Sequence, residues 1–288
     1  MSTIAERRDA GEFASEVHVY EPHKVGLPPL GAYLTQLWGR REFAVELARS
    51  DLRSKHYNTA FGQIWLILNP LLLGLVYFAL VQIIGRRGGS MAALAHLLLA
   101  LFTFRLVSTS ISQGARSVVG GGRLILNTAF PRTLLPLSSV LTCFMLFLPT
   151  LGVYAIVHVA AGLPVRPEIL WGIPIIATMV VFAAGVAMFV AAVQVYFRDL
   201  TSFLRYMLRI WLYLSPILWV AAQVPEKYKP LLYLNPLYPP LTALSEAVNL
   251  GITPPARLLL LSFAWAVAAL VVGGLFFISR EREFAVRL

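Results

Sequence analysis

RSDLRSKHYNTAFGQIWLILNPLLL, residues 49–73, passes within a few positions from charged and polar groups to hydrocarbon. Arg49, Asp51, Arg53, Lys55, His56 and Asn58 give way to Phe61, Ile64, Trp65, Leu66 and Ile67. This is the composition of a membrane–water boundary: cations meet anionic headgroups, an aromatic sits at headgroup level, and an apolar helix follows. The apolar run continues to Gly85, about twice the length of a soluble core element, which argues against a soluble helix ending in a buried strand.

The composition agrees. Of 288 residues, 58% are hydrophobic and 13% charged, with a mean hydropathy of +0.72, the profile of a polytopic membrane protein. A net charge of +10 raises the question of nucleic acid. The basic residues, however, lie between apolar runs and do not form a face interleaved with exposed aromatics, so no nucleic-acid partner is expected. The single cysteine, Cys143, lies in an apolar segment and permits no intrachain disulfide. Twenty arginines against four lysines fit a GC-rich genome. The first 30 residues contain Glu6, Asp9, Glu12, Glu16 and Glu21 without an apolar core segment, so they do not read as a signal peptide.

The expected fold is an all-α integral membrane protein with six transmembrane helices, an N-terminal amphipathic interface helix and short outer re-entrant gate helices. Residues 1–29 form a cytosolic tail, and residues 30–62 the interface helix with its lead-in. Residues 63–279 form the six-span domain, and residues 280–288 a cytosolic tail. In Leu30–Leu52 the apolar residues Leu30, Tyr33, Leu34, Leu37 and Trp38 recur at helical spacing, although Arg41 interrupts the stripe. A solvated helix packed on a partner protein is the alternative for this segment. The spans are placed at about Gln63–Gly85, Ala92–Ser112, Leu134–Leu163, Ile169–Phe197, Phe203–Val224 and Ala256–Ser279, each near the roughly 20 residues that a bilayer needs. With both termini in the cytosol, 17 Lys and Arg fall on the inner side and six on the outer, as the positive-inside rule requires.

Two connections are more than hairpins. The inner loop 114–133 holds Gly120, Gly121 and Gly122, then the short amphipathic stretch Arg123–Asn127, then Phe130-Pro131-Arg132. Three glycines free the backbone and Pro131 stops any preceding helix, so a small helix lying across the inner surface is expected. It is not a phosphate-binding loop, because no lysine follows a glycine anywhere in the chain. The outer segment 223–255 is rich in Pro, Tyr and Leu, with a helical piece near Leu241–Val248. It is too apolar for a free loop and is expected to dip into the outer leaflet, shielded by protein.

Chemistry is sparse within the spans. All 14 acidic residues lie outside their central portions, so an ion-coupled carrier or an intramembrane hydrolase lacks its carboxylate. His96 and His158 lack carboxylate partners at helical spacing and read as packing residues; no metal site and no catalytic residue are expected. Energy for uphill transport must therefore come from a separate subunit pressing on the inner surface. Arg105 is the one full charge deep in a span. It either faces an anionic substrate group or snorkels to an interface. Tyr196, Phe197, Phe203, Tyr206, Trp211, Tyr213 and Trp219 either form interfacial belts or offer apolar faces to sugar rings.

The order of these features resembles the membrane subunit of type-2 ABC exporters, in the polysaccharide branch that exports O-antigen and teichoic acid. Three passages carry it: Gly62, Trp65 and Pro70 after the basic stretch; Phe130-Pro131-Arg132 followed by Leu135-Pro136; and Tyr196-Phe197-Arg198-Asp199-Leu200, then Ser215-Pro216-Ile217 and Asn235-Pro236-Leu237. The resemblance covers about 190 residues. It implies a homodimer paired with two ABC ATPase subunits that hold the ATP and Mg, a bacterial inner-membrane location, and a polyprenyl-pyrophosphate-linked glycan as cargo. The arginine-rich composition suggests a galactan exporter of the mycobacterial kind. The family often carries an arginine shortly after Asn-Pro-Leu; this chain has Tyr238-Pro239-Pro240 and then Glu246 there, so no role of that arginine is carried over.

On this reading Gly120, Gly121, Gly122, Arg123, Leu124 and Asn127 form the surface coupled to the ATPase. Trp38, Arg40, Arg41, Arg198 and Asp199 form the interface helix and inner corner. Arg49, Arg53 and Arg105 are the candidates for pyrophosphate, and Tyr196, Trp211, Tyr213 and Trp219 for sugar. Tyr233, Asn235, Pro236 and Tyr238 belong to the outer gate. A drug or lipid exporter of the same family and a membrane-embedded glycan-lipid transferase are the competing functions.

Overall fold

The computed structural model describes residues 27–55 and 91–287, with isolated helical positions between 64 and 79. The tail before Leu27, most of the expected first span and residue 288 lie outside the described residues. Among the described residues every regular element is helical.

The N-terminal amphipathic segment is two helices, α1 (Leu30–Gly39) and α2 (Arg41–Lys55), not one. The break at Arg40 explains the imperfect stripe. Before it Tyr33 is buried, while Leu30, Leu34 and Trp38, each one turn from the next, are exposed. After it Ala44 and Ala48, one turn apart, face the core. Helix α2 packs on α5, and Thr142 Oγ1 donates to the Ala48 carbonyl at 3.4 Å.

Among the described residues four helices are long and apolar enough to cross a membrane. Helix α3 (Met91–Gly120) runs past the expected end at Ser112 into the loop. A one-residue break leads to α4 (Gly122–Asn127), and α5 (Leu134–Ala160) follows. A 3-10 turn, Pro167–Trp171, precedes α6 (Gly172–Tyr196). Helix α7 (Leu200–Leu214) stops ten residues short of the expected Val224, because Ser215 leaves the helix and Pro216 follows. At 15 residues it is about 22 Å long, under the roughly 30 Å of hydrocarbon. Two 3-10 turns and the single-turn α8 (Lys229–Leu232) lead to α9 (Tyr238–Asn249), which contains the helical piece expected at 241–248. Helix α10 (Ala256–Arg280) passes through the 3-10 turn Glu281–Glu283 into α11 (Phe284–Arg287).

Small residues set the closest helix crossing. A Cβ added to Gly273 on α10 would lie 1.9 Å from the carbonyl oxygen of Gly185 on α6, and one on Gly185 would meet the Ala269 backbone at 2.3 Å. In lipid, where apolar side chains gain nothing from leaving water, such backbone approach is a principal source of helix association. A Cβ on Gly114 of α3 would likewise fall 2.5 Å from the Ala187 methyl of α6.

The core has three levels. At one end Leu98, Phe102, Phe147, Leu244 and Leu258 pack around α9. In the middle Phe104, Ile111, Met179, Phe182 and Ile217 join α3, α6 and the segment after α7. At the other end Ile125, Leu135, Val195, Phe277 and Phe284 gather α4, α5, α6, α10 and α11. The described N-terminal helices and the C-terminal turn share this last level.

Candidate functional site

The level shared by the N-terminal helices and the C-terminal turn carries a dense polar network among the described residues. Helix α4 lies there with Arg123 and Asn127 exposed and Ile125 buried at 5% exposure, the division its amphipathic sequence predicts. The glycines before it act by fit. Gly120, Gly121 and Gly122 all have negative φ, and Gly121 N still donates to the Ser117 carbonyl at 3.0 Å, so α3 passes almost directly into α4. A Cβ on Gly121 would meet that carbonyl at 2.9 Å and the Leu135 side chain at 3.0 Å. The expected release of the backbone is thus a tight junction against α5. Leu124 packs partly buried on the same cluster as Ile125.

Beside α4 the chain from Ala129 to Thr133 receives the N-terminal helix. Arg40 donates to the Ala129 carbonyl. Tyr33 Oη donates to Glu281 Oε2 at 2.5 Å and lies 2.8 Å from Thr133 Oγ1. Glu281 Oε1 accepts from the Arg132 backbone N–H, and the Arg132 guanidinium donates to the Glu281 carbonyl. Glu281 is only 9% exposed, so both of its carboxylate oxygens need these partners. Burial, with the Glu281 charge second, pushes the Tyr33 phenol far above its ordinary value. Burial also lowers the Arg132 guanidinium, with Glu281 opposing. A cavity of about 590 Å³ opens between α1 and this junction, lined by Tyr33, Gln36, Arg132, Glu281 and Arg282 among others.

The expected interface residues fall around this junction in different ways. Trp38 is 71% exposed, with the Arg41 guanidinium 5.1 Å from its ring centroid. Arg198 and Asp199 sit exposed at the turn between α6 and α7, where Gln194 Nε2 donates to the Arg198 carbonyl at 2.8 Å. Among the described residues neither side chain reaches α1 by an ion pair or hydrogen bond, and the tie to α1 runs through Glu281 and Arg132 instead.

The substrate candidates are dispersed. Arg49 pairs loosely with Glu46 at 3.8 Å on the exposed side of α2, and Arg53 is exposed one turn on. Arg105 is half-buried in α3. Tyr196 Oη donates to Glu283 Oε2 at 2.7 Å, with Arg287 4.4 Å over its ring, so it is engaged by the C-terminal turn. Trp211 packs edge-on to Phe182 at 6.0 Å, and Trp219 Nε1 donates to the Tyr213 carbonyl at 3.0 Å. No hydrogen bond or ring contact among the described residues joins Arg49, Arg53 or Arg105 to these aromatics. On α7 the inward stripe is Leu200, Leu204, Leu208 and Trp211, which leaves Phe203, Arg205, Tyr206, Arg209 and Tyr213 exposed.

Toward the opposite end, Asn235 is a hub. Its Oδ1 accepts from Trp211 Nε1 at 2.8 Å and from the Leu237 backbone N–H at 3.0 Å. Its Nδ2 donates to the Leu214 carbonyl at 3.0 Å and to Ser215 Oγ at 3.2 Å. Pro236 continues this turn, and the Tyr238 ring, 5% exposed, meets Tyr233 edge-on at 5.3 Å. Arg257 lies 4.2 Å over Tyr233. His96 Nδ1 lies 2.8 Å from Ser245 Oγ, which accepts from Asn249 Nδ2 at 3.2 Å. Tyr154 Oη donates to Asn249 Oδ1 at 2.5 Å and lies 3.0 Å from His158 Nδ1. The two histidines are therefore members of a polar joint that ties α9 to α3 and α5.

Sequence reasoning missed Tyr33, Arg132, Thr133, Glu281, Glu283 and Phe284 as one unit. One signal was available: Phe277 and Phe284 stand seven residues apart, on one face of a helix, and their rings meet at 5.1 Å.

Comparison with known proteins places this architecture. An O-antigen export system permease protein RfbA of Klebsiella pneumoniae is 31% identical over 199 residues, covering 68% of this chain and 76% of that protein. A second protein of that name and organism is 28% identical over 197 residues. One from Myxococcus xanthus is 25% identical over 253 residues, covering 87% of this chain and 96% of the relative. The family described as ABC-2 type transporter matches residues 42–249, and with most of its length so matched the chain belongs to that family.

Proposed function

We propose that this chain is the membrane subunit of an ATP-driven exporter that carries a lipid-linked polysaccharide out of the bacterial cytosol across the inner membrane. The observation that carries the reading is α4. It is a short amphipathic helix anchored by Ile125, with Arg123 and Asn127 presented outward, at the level where both described ends of the chain meet. The relatives named as O-antigen export permeases support the polysaccharide class.

In the mechanism we propose, two copies of this subunit pair with two ATPase subunits, which bind ATP and Mg and press on α4. Six crossings fit the alternation of ends. Four of these are the long helices; α7 follows the Tyr196 end of α6 while the start of α10 packs in the cluster at the other end, which supports a further passage within 200–255. With Arg205 and Arg209 of α7 set aside as conduit residues, the remaining 15 of the 17 inner cations against six outer ones still support a cytosolic position for both termini. The exposed face of α7, which mixes Arg205 and Arg209 with Tyr206 and Tyr213, suits a wet conduit better than lipid. Cations there attract the pyrophosphate and tyrosines stack on sugar rings. The aromatic cluster at Tyr233 and Tyr238 would close the outer mouth. A polyprenyl carrier and a galactan chain remain the specific form of the cargo that we favour.

The test is reconstitution of the chain with its ATPase in proteoliposomes loaded with lipid-linked glycan. ATP-dependent movement of glycan is expected, with Arg123→Glu abolishing it while the unfolding free energy of the purified chain stays within about 0.5 kcal/mol of wild type. Product formation by the chain alone, with no ATPase present, would overturn the reading in favour of a transferase.

A further inference from the structure

The last seven described residues are joined to several of the elements around α4. Glu281 binds Tyr33 of α1 and the backbone of Arg132. Glu283 accepts from Tyr196 at the end of α6 and pairs with Arg280 at 3.2 Å and with Arg287 at 3.4 Å. Phe284, fully buried, packs against Phe277 in the cluster that holds Ile125 and Val118. The bond between Tyr33 and Glu281 spans 248 positions of sequence, and that between Tyr196 and Glu283 spans 87.

We infer that residues 281–287 form a clasp that transmits displacement of α4 to the N-terminal helix α1 and to the α6–α7 corner, with Glu281 and Glu283 as positioning residues. This rests on the exporter reading above. Helix α4 has six residues and, among the described side chains, one buried anchor, Ile125. A push on it must pass through rigid neighbours, because packed cores switch between discrete arrangements and do not deform continuously. The C-terminal turn supplies three such links at once. Phe284 receives α4, Glu281 hands motion to α1 through Tyr33, and Glu283 hands it to Tyr196. A buried carboxylate satisfied from two separate segments holds one geometry, because any other leaves an oxygen without a donor in a dry site.

The experiment uses the full chain with its ATPase in proteoliposomes and measures glycan moved per ATP hydrolysed. Tyr33→Phe removes one hydroxyl, and Glu281→Gln removes the charge but keeps the shape. Each is expected to lower the ratio about tenfold, the scale of one hydrogen bond to a charged group, with the hydrolysis rate and complex assembly retained. The double variant should be no worse than either single one, since both act through one bond. A wild-type ratio in Tyr33→Phe, or losses that multiply in the double variant, would overturn the clasp. If the wild-type complex hydrolyses ATP without moving glycan, the exporter reading fails separately. Amide exchange on the purified chain then decides the clasp. Tyr33→Phe must raise exchange about tenfold in Gly122–Asn127 as well as in α1, and a rise confined to α1 would refute the link.

Discussion

Replacing Gly273 by alanine tests the crossing of α6 and α10 at its tightest point. The new methyl carbon would lie 1.9 Å from the Gly185 carbonyl oxygen, against a normal approach of at least about 3 Å for such atoms, so the helices must part by roughly 1 Å. That shift loosens contacts along Gly185, Ala269 and the neighbouring turn, and overpacking of this kind costs about 1–3 kcal/mol. Alanine also gains about 1 kcal/mol of helix propensity, which masks part of the loss. Gly274→Ala supplies the control. It makes the same change of propensity one residue on, where its Cβ would meet only Met188 Cε at an ordinary 3.7 Å. The difference between the two variants isolates the clash. Thermal melts in detergent should place the midpoint of Gly273→Ala below that of Gly274→Ala by roughly 2–4 °C per kcal/mol. Equal midpoints would refute a backbone contact between Gly185 and Gly273.

Three further outcomes are expected. Tyr33 has a phenol pKa raised above its ordinary value near 10, so its contribution to stability is complete below pH 10 and is lost as the pH climbs beyond it, when the unfolded phenol ionises and the folded one does not. Denaturation profiles between pH 9 and 12 should fall less steeply for Tyr33→Phe than for wild type; parallel profiles would contradict this. Asn235→Ala strips four hydrogen bonds from the turn after α7, and should destabilise the chain by about 1–3 kcal/mol and increase the fluorescence change at Trp211 on mild denaturation. Arg123→Glu alters an exposed side chain, so loss of ATPase binding without loss of the fold is expected in pull-down and melting assays.

The candidate site was legible where its chemistry is local. The alternation of Arg123, Ile125 and Asn127 between three glycines and Pro131 gave a short surface helix, because side-chain partition follows helical period alone. The run Arg280–Glu283, dense in charge after an apolar span, looked like an ordinary topogenic end. Nothing within nine residues of Glu281 reveals that its donors come from Tyr33 and Arg132. The same holds for α7, where hydropathy extends the segment to Val224 but Pro216 ends the helix at Leu214. There the sequence offered both signals, and the apolar count outweighed the proline.

By itself, then, the sequence determined the solvent in which this chain lives, its helical class, four of its spans and the surface helix after the second expected span, since transfer from water to lipid depends on residue type and run length. Only the tertiary structure decided that Gly185 and Gly273 let two backbones touch, that Asn235 gathers Trp211 and Ser215, and that a buried glutamate joins the turn after α10 to the first described helix. Those pairings are set by which surfaces meet when helices pack, and no local pattern encodes a partner 248 residues away.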